Sequence, residues 1–460
     1  MDITKVKHAY FIGIGGIGMS AIARYLKDKS VQVSGYDRTS TALTKTLEEE
    51  GMDIHYTEDV DALPKQIDIV IYTPAIPESH VEYQYLLSTE IPVMKRSEAL
   101  GLISQSYQTI AVAGTHGKTS TSTVLAHLLV ESGIETINFL GGIHRDWNSN
   151  YSYGESGWLV AEADEFDRSF LQLHPQIAVI LSMDADHLDI YGSHSEMIAT
   201  YEQFTTQIKV GGTLIIQHGI SDAFTNEWKS NMDKRSIEII TFGSPDADLW
   251  IESWNGAGFD TDVNAKIEGR PTSWKWNIPG YYNASNASIG WFIAKRLGCE
   301  DRILAKAIKN YGGVKRRIEC LYESEEGILI DDYAHHPEEL RAVIGAIVQL
   351  YPDKSLTGIF QPHLYTRTRD HFEGFAETLS LLDTAYVLPI YPARELPIDG
   401  ITSEMIVVQM TIENATAVGH DQLETEVKKK EHEVIITLGA GNLERHHEML
   451  LKLLKNQTND

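Results

Sequence analysis

The stretch TIAVAGTHGKTSTSTVLAHLLV, residues 109–130, decides the fold. It starts as a short apolar run typical of a buried strand, turns at a Gly-rich segment and continues with a helical pattern. In such a unit the backbone N–H groups of the turn cradle phosphates, Lys118 neutralises phosphate oxygens and the Thr119 hydroxyl binds Mg²⁺. The alternative is a tight turn with a surface lysine. We favour ATP as the ligand, bound by Gly114, Thr115, His116, Gly117, Lys118, Thr119 and Ser120.

The same alternation of strand and helix patterns continues in both directions and predicts α/β domains with mostly parallel sheets. Met19–Lys27 is one of the helical segments, and Ala247–Asn277, rich in Trp and short alternations, suggests an antiparallel excursion. The other predicted strands are His8–Ile14, Val31–Tyr36, Ile67–Tyr72, Trp158–Glu162, Ile177–Leu181, Thr213–Ile216, Ile328–Asp331, Leu356–Phe360, Ala385–Leu388 and Val434–Leu438.

Length predicts about three domains, since one domain usually takes roughly 150 residues. Polar stretches near residues 104–108 and 313–325 are the predicted boundaries. They divide the chain into three segments of plausible domain size, 1–107, 108–317 and 318–460.

A second glycine-rich turn lies near the N-terminus, where Gly13, Gly15, Gly16 and Gly18 follow a strand and open a helix. Glycine allows a tight turn and close approach of a phosphate, and a helix N-terminus attracts anions. Asp37 ends the next strand, where an acid can hold a ribose hydroxyl. On this motif alone three interpretations stay open: NAD(P), another nucleotide, or a purely structural turn.

Two acidic clusters follow predicted strands, at 162–167 and 184–189. Carboxylates at strand ends face the ligand crevice of an α/β sheet, so they tolerate a triphosphate only with a divalent cation between them. Glu162 is therefore a candidate Mg²⁺ ligand, and His187 a candidate for a second cation or a water. Solvated acidic loops are the alternative.

Composition excludes several classes of protein. The chain has 39 basic and 65 acidic residues, a net charge of −26, which disfavours nucleic acid and anionic membranes as partners. No apolar run reaches the roughly 18 residues of a membrane helix. Two cysteines in 460 residues are no disulfide framework, so we expect a reducing, cytoplasmic setting. Ala21-Ile22-Ala23 imitates a signal cleavage site, but the glycines before it favour a strand and turn.

Taken together, the motifs resemble those of the Mur ligases, ATP-dependent amide-forming enzymes of peptidoglycan synthesis. The resemblance runs from residue 8 to about 442. It is carried by GTHGKTST at 114–121, EADEFDRSF at 162–170, DADHLDIYG at 184–192, PGYYNASNA at 279–287, GGVKRRIE at 312–319, DDYAHHPEE at 331–339, FQPHLYTRTRD at 360–370 and LGAGN at 438–442. The GIGGIGMS start, the double arginine and QPHLYTRTRD are most like the member that joins L-alanine to UDP-N-acetylmuramate.

The resemblance implies an α/β fold of three domains: a Rossmann-like UDP-substrate domain at 1–107, a central ATP-binding domain at 108–317 and a Rossmann-like amino-acid-binding domain at 318–460. It also implies a role for each matching residue. The first glycine turn would bind the diphosphate of UDP-N-acetylmuramate instead of NAD, and Glu162 and His187 would be magnesium ligands. Lys118 and Arg317 would act on the γ-phosphate. The rest of the ATP site would include Asn283, Asn286 and Asp332, and the muramoyl and amino-acid side would include Tyr333, His336, His363, Arg367 and Arg369.

The sequence differs from the family pattern at three points, and several other functions remain as alternatives. Tyr282 replaces the family's usual histidine, Asp184 replaces its usual glutamate, and no lysine stands where several sister ligases carry a carbamylated one. The nearest rival is a ligase that attaches a whole tripeptide to the same UDP-sugar. A folylpolyglutamate-type ligase, an NAD-dependent oxidoreductase and a non-catalytic nucleotide-binding regulator are more distant. We expect a monomer or a weak homodimer.

Overall fold

A computed structural model describes residues 3–185, 188–393 and 395–456. Their strands lie in three sheets. No helix in these ranges is both long and apolar enough to cross a membrane.

The N-terminal sheet is parallel, with strand order β3-β2-β1-β4-β5. The order reverses beside β1, and at such a switch point the carboxyl ends of the strands form a crevice. The first glycine turn leaves β1 there. The elements are β1 His8–Ile12, α1 Ile17–Asp28, β2 Gln32–Tyr36, α2 Ala42–Glu49, β3 Asp53–His55, β4 Ile69–Tyr72, α3 Val81–Leu87, β5 Val93–Lys95 and α4 Arg96–Ser104.

The second sheet has the order β15-β14-β13-β12-β11-β10-β6-β9-β7-β8, with β6 between β10 and β9. Its elements are β6 Gln108–Ala113, α5 Lys118–Glu131, β7 Ile137–His144, β8 Ser149–Ser152, β9 Trp158–Glu162, β10 Ile177–Ile180, α6 Leu188–Tyr191, α7 His194–Thr205, β11 Thr213–Gln217, α8 Trp228–Lys234, β12 Glu238–Phe242, β13 Leu249–Ala257, β14 Asp260–Ile267, β15 Arg270–Trp276, α9 Tyr281–Arg296 and α10 Asp301–Lys309.

The third sheet has the order β16-β17-β21-β18-β19-β20 and is parallel except for β16. Its inner strands are buried along their whole length, as their mainly apolar sequences predict, although one of them ends in Asp331 and Asp332. The elements are β16 Glu319–Glu323, β17 Ile328–Asp332, α11 Pro337–Leu350, β18 Leu356–Phe360, α12 Tyr365–Leu379, β19 Thr384–Val387, α13 Glu404–Gln409, β20 Ala415–Ala417, α14 Leu423–Val427, β21 Val434–Leu438 and α15 His447–Asn456.

The chain divides into two compact units. The first comprises Met1–Glu252, Asn264–Trp274 and Ser285–Gly312, and the second Ser253–Val263, Lys275–Ala284 and Gly313–Asp460. Within the first unit one apolar core joins the first two sheets. Tyr25 of α1, for example, packs on Phe139 of β7 with ring centroids 5.6 Å apart.

Most predicted strands appear where the sequence placed them, with a few corrections. The predicted strand His8–Ile14 is too long, because Gly13 already turns the chain at φ +84°. The excursion at 247–277 consists of β13, β14 and β15, joined by two-residue connections that require antiparallel neighbours. The domain boundaries at 107 and 317 remain predictions.

Candidate active site

The glycine loop at 114–117 leaves the carboxyl end of β6 and opens α5. Gly114 has φ +134°, and a Cβ there would lie 2.8 Å from Leu181, so both its conformation and its neighbour require glycine. Gly117 caps α5 at φ +80°. Ser182 supports the loop by accepting the His116 N–H on its hydroxyl at 3.0 Å. In the described part of the chain, the Gly117 amide has no acceptor, which leaves it for an anion.

Lys118 begins α5 and turns back into the loop. Its ammonium group donates to the Gly114 carbonyl at 2.7 Å and to Glu165 at 2.8 Å, and lies 3.5 Å from the Thr115 carbonyl. An ammonium group has three N–H bonds, so these acceptors already match its capacity. A phosphate must therefore replace at least one of them.

Ionisation of Lys118 and Glu165 depends on their shared burial. Burial alone would lower the pKa of Lys118, but Glu165, Asp164 and Glu162 outweigh it and hold the lysine charged. Burial raises the pKa of Glu165 to about 7, and attraction to Lys118 offsets only part of that shift. Lys118 therefore keeps its positive charge beside the loop.

Thr119 and Glu162 form the candidate cation site. The Thr119 hydroxyl donates to Glu162 Oε2 at 2.7 Å. The backbone of β7 runs close by, since a Cβ on Gly141 would lie 2.0 Å from the same oxygen. A hydroxyl and a carboxylate are the hard oxygen donors that Mg²⁺ takes. The other predicted ligand, His187, lies outside the described residues.

The first glycine turn packs tightly against its own domain. A Cβ on Gly13 would lie 2.6 Å from the Thr73 side chain, one on Gly15 would lie 2.5 Å from Thr44, and one on Gly18 would lie 2.4 Å from Arg96. Gly16 is more open, with its nearest atom 3.4 Å away. Side chains at Gly13 and Gly15 would collide with short threonine side chains, whereas the neighbour of Gly18 is the flexible end of Arg96. The turn is preformed.

Asp37 is engaged by backbone amides. Its carboxylate accepts the Gly15 N–H at 2.8 Å and the Thr39 N–H at 3.1 Å. The side chain therefore positions the glycine turn, a contact that the sequence pattern did not reveal.

The predicted residues of the second unit gather at the start of β16 and the end of β17. Arg316 pairs with Asp331 at 3.2 Å and donates to the Gly441 carbonyl at 3.0 Å, whereas Arg317 lies 5.5 Å from the Tyr333 ring. Asp332 accepts the N–H groups of Ile318 and Ala334 at 2.6 and 2.7 Å. Burial raises the pKa of Asp332 to about 6, against the opposing pull of Arg317 and both amides.

The predicted amino-acid side surrounds the N-termini of α11 and α12. His336 is buried with its ring centroid 4.8 Å from that of His371, and His363 stacks on Tyr391 at 5.7 Å. Arg367 and Arg369 lie two positions apart on α12, so they point to different sides of the helix. Arg369 is exposed and pairs with Asp370 at 2.7 and 3.0 Å.

The two asparagines of the predicted adenine region have different surroundings. Asn283 donates to the Pro279 carbonyl at 2.7 Å, next to Tyr282, which is 67% exposed. Asn286 lies against the ATP-loop turn, 3.3 Å from the place a Cβ on Gly117 would take.

Two basic side chains at the N-terminus of α4 were not identified from the sequence. Lys95 pairs with Asp167 at 2.7 Å and Arg96 with Asp164 at 3.1 Å, both in the acidic cluster at 162–167. Asp167 and Arg168 both have φ +54°, a strained conformation for residues other than glycine. The one sequence feature that could have indicated them is the adjacent pair Lys95-Arg96 at the start of a helix.

Known proteins match the chain along nearly its full length. The Mur ligase family catalytic domain matches residues 8–108, the Mur ligase middle domain 112–294 and the Mur ligase glutamate ligase domain 316–441. A UDP-N-acetylmuramate--L-alanine ligase of Cytophaga hutchinsonii is 41% identical over 458 residues, 97% of this chain and 96% of that relative.

Solved structures of Mur ligases share the fold of this chain. The crystal structure of UDP-N-acetylmuramate-alanine ligase from Thermotoga maritima has a TM-score of 0.82 at 26% identity, covering 98% of this chain and 100% of the other. A murein peptide ligase from Psychrobacter arcticus has a TM-score of 0.70 at 22% identity, covering 98% of this chain and 99% of the other. At this identity the similarity is evidence for a shared fold only. The predicted three-domain α/β fold and the family resemblance are confirmed, and the chain belongs to the Mur ligase family.

Proposed function

We propose that the protein is an ATP-dependent ligase that joins L-alanine to the carboxylate of UDP-N-acetylmuramate during peptidoglycan precursor synthesis. The observation that carries this proposal is the 41% identity, over 97% of the chain, to a relative with that activity in its name. The cytoplasm is the proposed location, in keeping with two free cysteines, and a monomer or weak homodimer is the proposed assembly.

ATP binds at the loop before α5 in this proposal. The Gly117 amide and the first amides of α5 hold the phosphates, and Lys118 exchanges a protein acceptor for a phosphate oxygen. Asn286 lies beside the loop turn. Asn283, Arg317 and Asp332 complete the nucleotide site. Asp332 does so by holding the backbone at Ile318 and Ala334, next to Arg317.

Thr119 and Glu162 fit a magnesium ion, and His187 is the further proposed ligand. When bound, Mg²⁺ supplies positive charge to the phosphate oxygens and so lowers repulsion toward a second anion. Lys118 and Arg317 supply fixed positive charge for the same purpose.

The UDP-sugar binds at the first glycine turn, where the N-terminus of α1 faces the crevice beside β1. Asp37 contributes by fixing the Gly15 amide, whereas Gly13, Gly16 and Gly18 shape the turn. Tyr333, His336, His363, Arg367 and Arg369 are proposed for the muramoyl and alanine side. Arg369 forms an ion pair with Asp370.

The reaction runs in two steps. A muramoyl carboxylate oxygen attacks the γ-phosphorus of ATP, the bond to ADP breaks, and an acyl phosphate forms. The uncharged alanine amine then attacks the acyl carbon, phosphate leaves with the bonding electrons, and the amine gives up a proton to form the amide. Both partners of the first step are anions, so charge neutralisation and alignment are the protein's main contribution.

The test is phosphate release from ATP in the presence of Mg²⁺, UDP-N-acetylmuramate and a panel of amino acids, with mass analysis of the product. We expect release that requires both the UDP-sugar and L-alanine, with a product heavier by one alanyl residue. Release only with the L-Ala–D-Glu–diamino-acid tripeptide assigns the tripeptide-attaching reaction instead. ATP binding without turnover for any acceptor refutes the ligase proposal. Lys118→Ala is the inactive control.

A further inference from the structure

Arg96 is the first residue of α4, yet its guanidinium group lies against another helix. Its Nη1 atom lies 2.4 Å, and its Cδ and Cζ atoms 3.1 and 3.3 Å, from the place a Cβ on Gly18 would take. Gly18 is the second residue of α1. The end of the Arg96 side chain is therefore packed directly on Gly18, and its positive charge lies at the N-terminus of α1.

The first turn of α1 offers donors beside that charge. Gly16 caps the helix without a side-chain hydrogen bond. Among the described residues, the amides of Ile17 and Gly18 have no acceptor. The helix dipole adds partial positive charge at the same place. Two N–H groups and one guanidinium group thus face one small region at the carboxyl end of β1.

Arg96 has donors to spare. Its Nη2 atom donates to Asp164 at 3.1 Å, and the side chain is only 22% exposed. A guanidinium group has five N–H bonds in a planar fork. Asp164 uses one edge of the fork, and Nη1, the atom nearest Gly18, lies on the side of the helix N-terminus.

We infer that Arg96 binds the diphosphate of the uridine diphosphate substrate, together with the first amides of α1, and shares its guanidinium group with Asp164. This inference rests on the proposed function, because it deepens the account of the same substrate. Planar forked donors suit a phosphate group better than a single ammonium does. Arg96 is therefore a substrate-binding residue supplied by α4, outside the glycine motif.

The test is a titration of the full-length protein with UDP-N-acetylmuramate, with UDP and, separately, with ATP. Loss of a charged hydrogen bond predicts that Arg96→Gln weakens binding of both uridine ligands by about 10- to 100-fold and leaves ATP within about twofold. Arg96→Lys keeps the positive charge but loses the planar guanidinium group, so its affinity for the uridine ligands is expected to lie between those of the wild type and Arg96→Gln. If Arg96→Gln does not fold, Arg96→Lys provides the test instead.

Two matched variants separate binding from a merely structural role. Lys95→Gln removes the neighbouring 2.7 Å ion pair to Asp167 at the same helix start, and is expected to change UDP affinity less than about threefold. Asp164→Asn removes the carboxylate that competes for Arg96, so UDP binding is unchanged or tighter. Equal weakening by Asp164→Asn and Arg96→Gln, or an unchanged UDP affinity in Arg96→Gln, overturns the inference.

The UDP titration also separates this inference from the proposed function. If the wild-type protein binds UDP but forms no alanine product, the proposed function fails while the Arg96 comparison still stands. If the wild-type protein is active and Arg96→Gln binds UDP normally, only the inference fails.

Discussion

At the scale of single residues, the pairing of Lys118 with Glu165 is the feature with the largest consequence. Glu165 is fully buried and the Lys118 side chain is only 13% exposed, and the ammonium and carboxylate groups are 2.7 Å apart. Removing one member of such a pair leaves the other charge buried without compensation, which usually costs more than the intact pair contributes. Lys118 therefore contributes both to the stability of the fold and to the proposed catalysis.

Lys118→Met is expected to abolish ligase activity and to lower the free energy of unfolding by about 3 kcal/mol, because Glu165 loses its cation. Adding Glu165→Gln to that variant is expected to restore at least about 1 kcal/mol without restoring activity. Urea denaturation of the single and double variants measures both values. Lys95→Met, at a more exposed ion pair, is the control and costs less than about 1 kcal/mol. A double variant no more stable than Lys118→Met contradicts the expectation.

At the scale of elements, a chain of hydrogen bonds through two buried histidines ties α5, β7 and α10 together. His127 Nε2 donates to the Ala307 carbonyl at 2.9 Å, so its Nδ1 accepts from His144 Nε2 at 3.2 Å. His144 Nδ1 in turn accepts the Asp146 N–H at 3.2 Å. This arrangement requires both rings to be neutral. Burial, and then the neighbouring His127, lower the pKa of His144 to about 3.

The folded-state pKa of His144 lies below its unfolded value of about 6.5, so the stabilisation is present above pH 6.5 and is lost as pH falls toward 3. We expect the free energy of unfolding to fall by about 1.4 kcal/mol per pH unit for this histidine between pH 6 and 4. Urea denaturation at several pH values measures the slope. His144→Phe is expected to be less stable at pH 7 but to have a shallower slope, whereas His174→Gln, at an exposed position, keeps the wild-type slope. An unchanged slope in His144→Phe contradicts the assignment.

At the scale of the whole molecule, the first two sheets share one compact unit, and a buried polar cluster joins them. Arg24 of α1 holds Glu50 with two nitrogens and donates to Asn150 of β8 at 2.6 Å. The Asn150 amide donates to the Ile17 carbonyl and to the Ser20 hydroxyl. This cluster anchors the first turn of α1, which carries the proposed diphosphate site.

Asn150→Ala is expected to lower the free energy of unfolding of the first unit by about 2–4 kcal/mol, because Arg24 and Ile17 lose buried partners. Urea denaturation followed by fluorescence and by circular dichroism measures it, and both signals are expected to shift together. Tyr153→Phe removes only exposed 3.5 Å contacts of its hydroxyl, with Lys29 across the same interface and with Glu155, and is expected to change stability by less than about 0.5 kcal/mol. Equal effects of the two substitutions contradict a buried anchor.

Local pattern was enough to predict much of the fold. The strands Trp158–Glu162, Leu356–Phe360 and Val434–Leu438 were predicted to the residue, because each is a short and mainly apolar run. The three-residue strands β3, β5 and β20 were missed, since hydrogen bonds to longer neighbours define them and three residues show no period.

The sequence by itself determined the features that lie within one continuous segment: the ATP loop, the first glycine turn, the acidic strand ends and the family. A strand, turn and helix form from neighbours along the chain, so their chemistry can be read in order. Only the tertiary structure decided which charges meet. Arg96 and Asp164 are 68 residues apart, and Lys118 and Glu165 are 47 apart. Such pairs depend on how strands order within a sheet and how helices pack, and these long-range choices leave no local pattern.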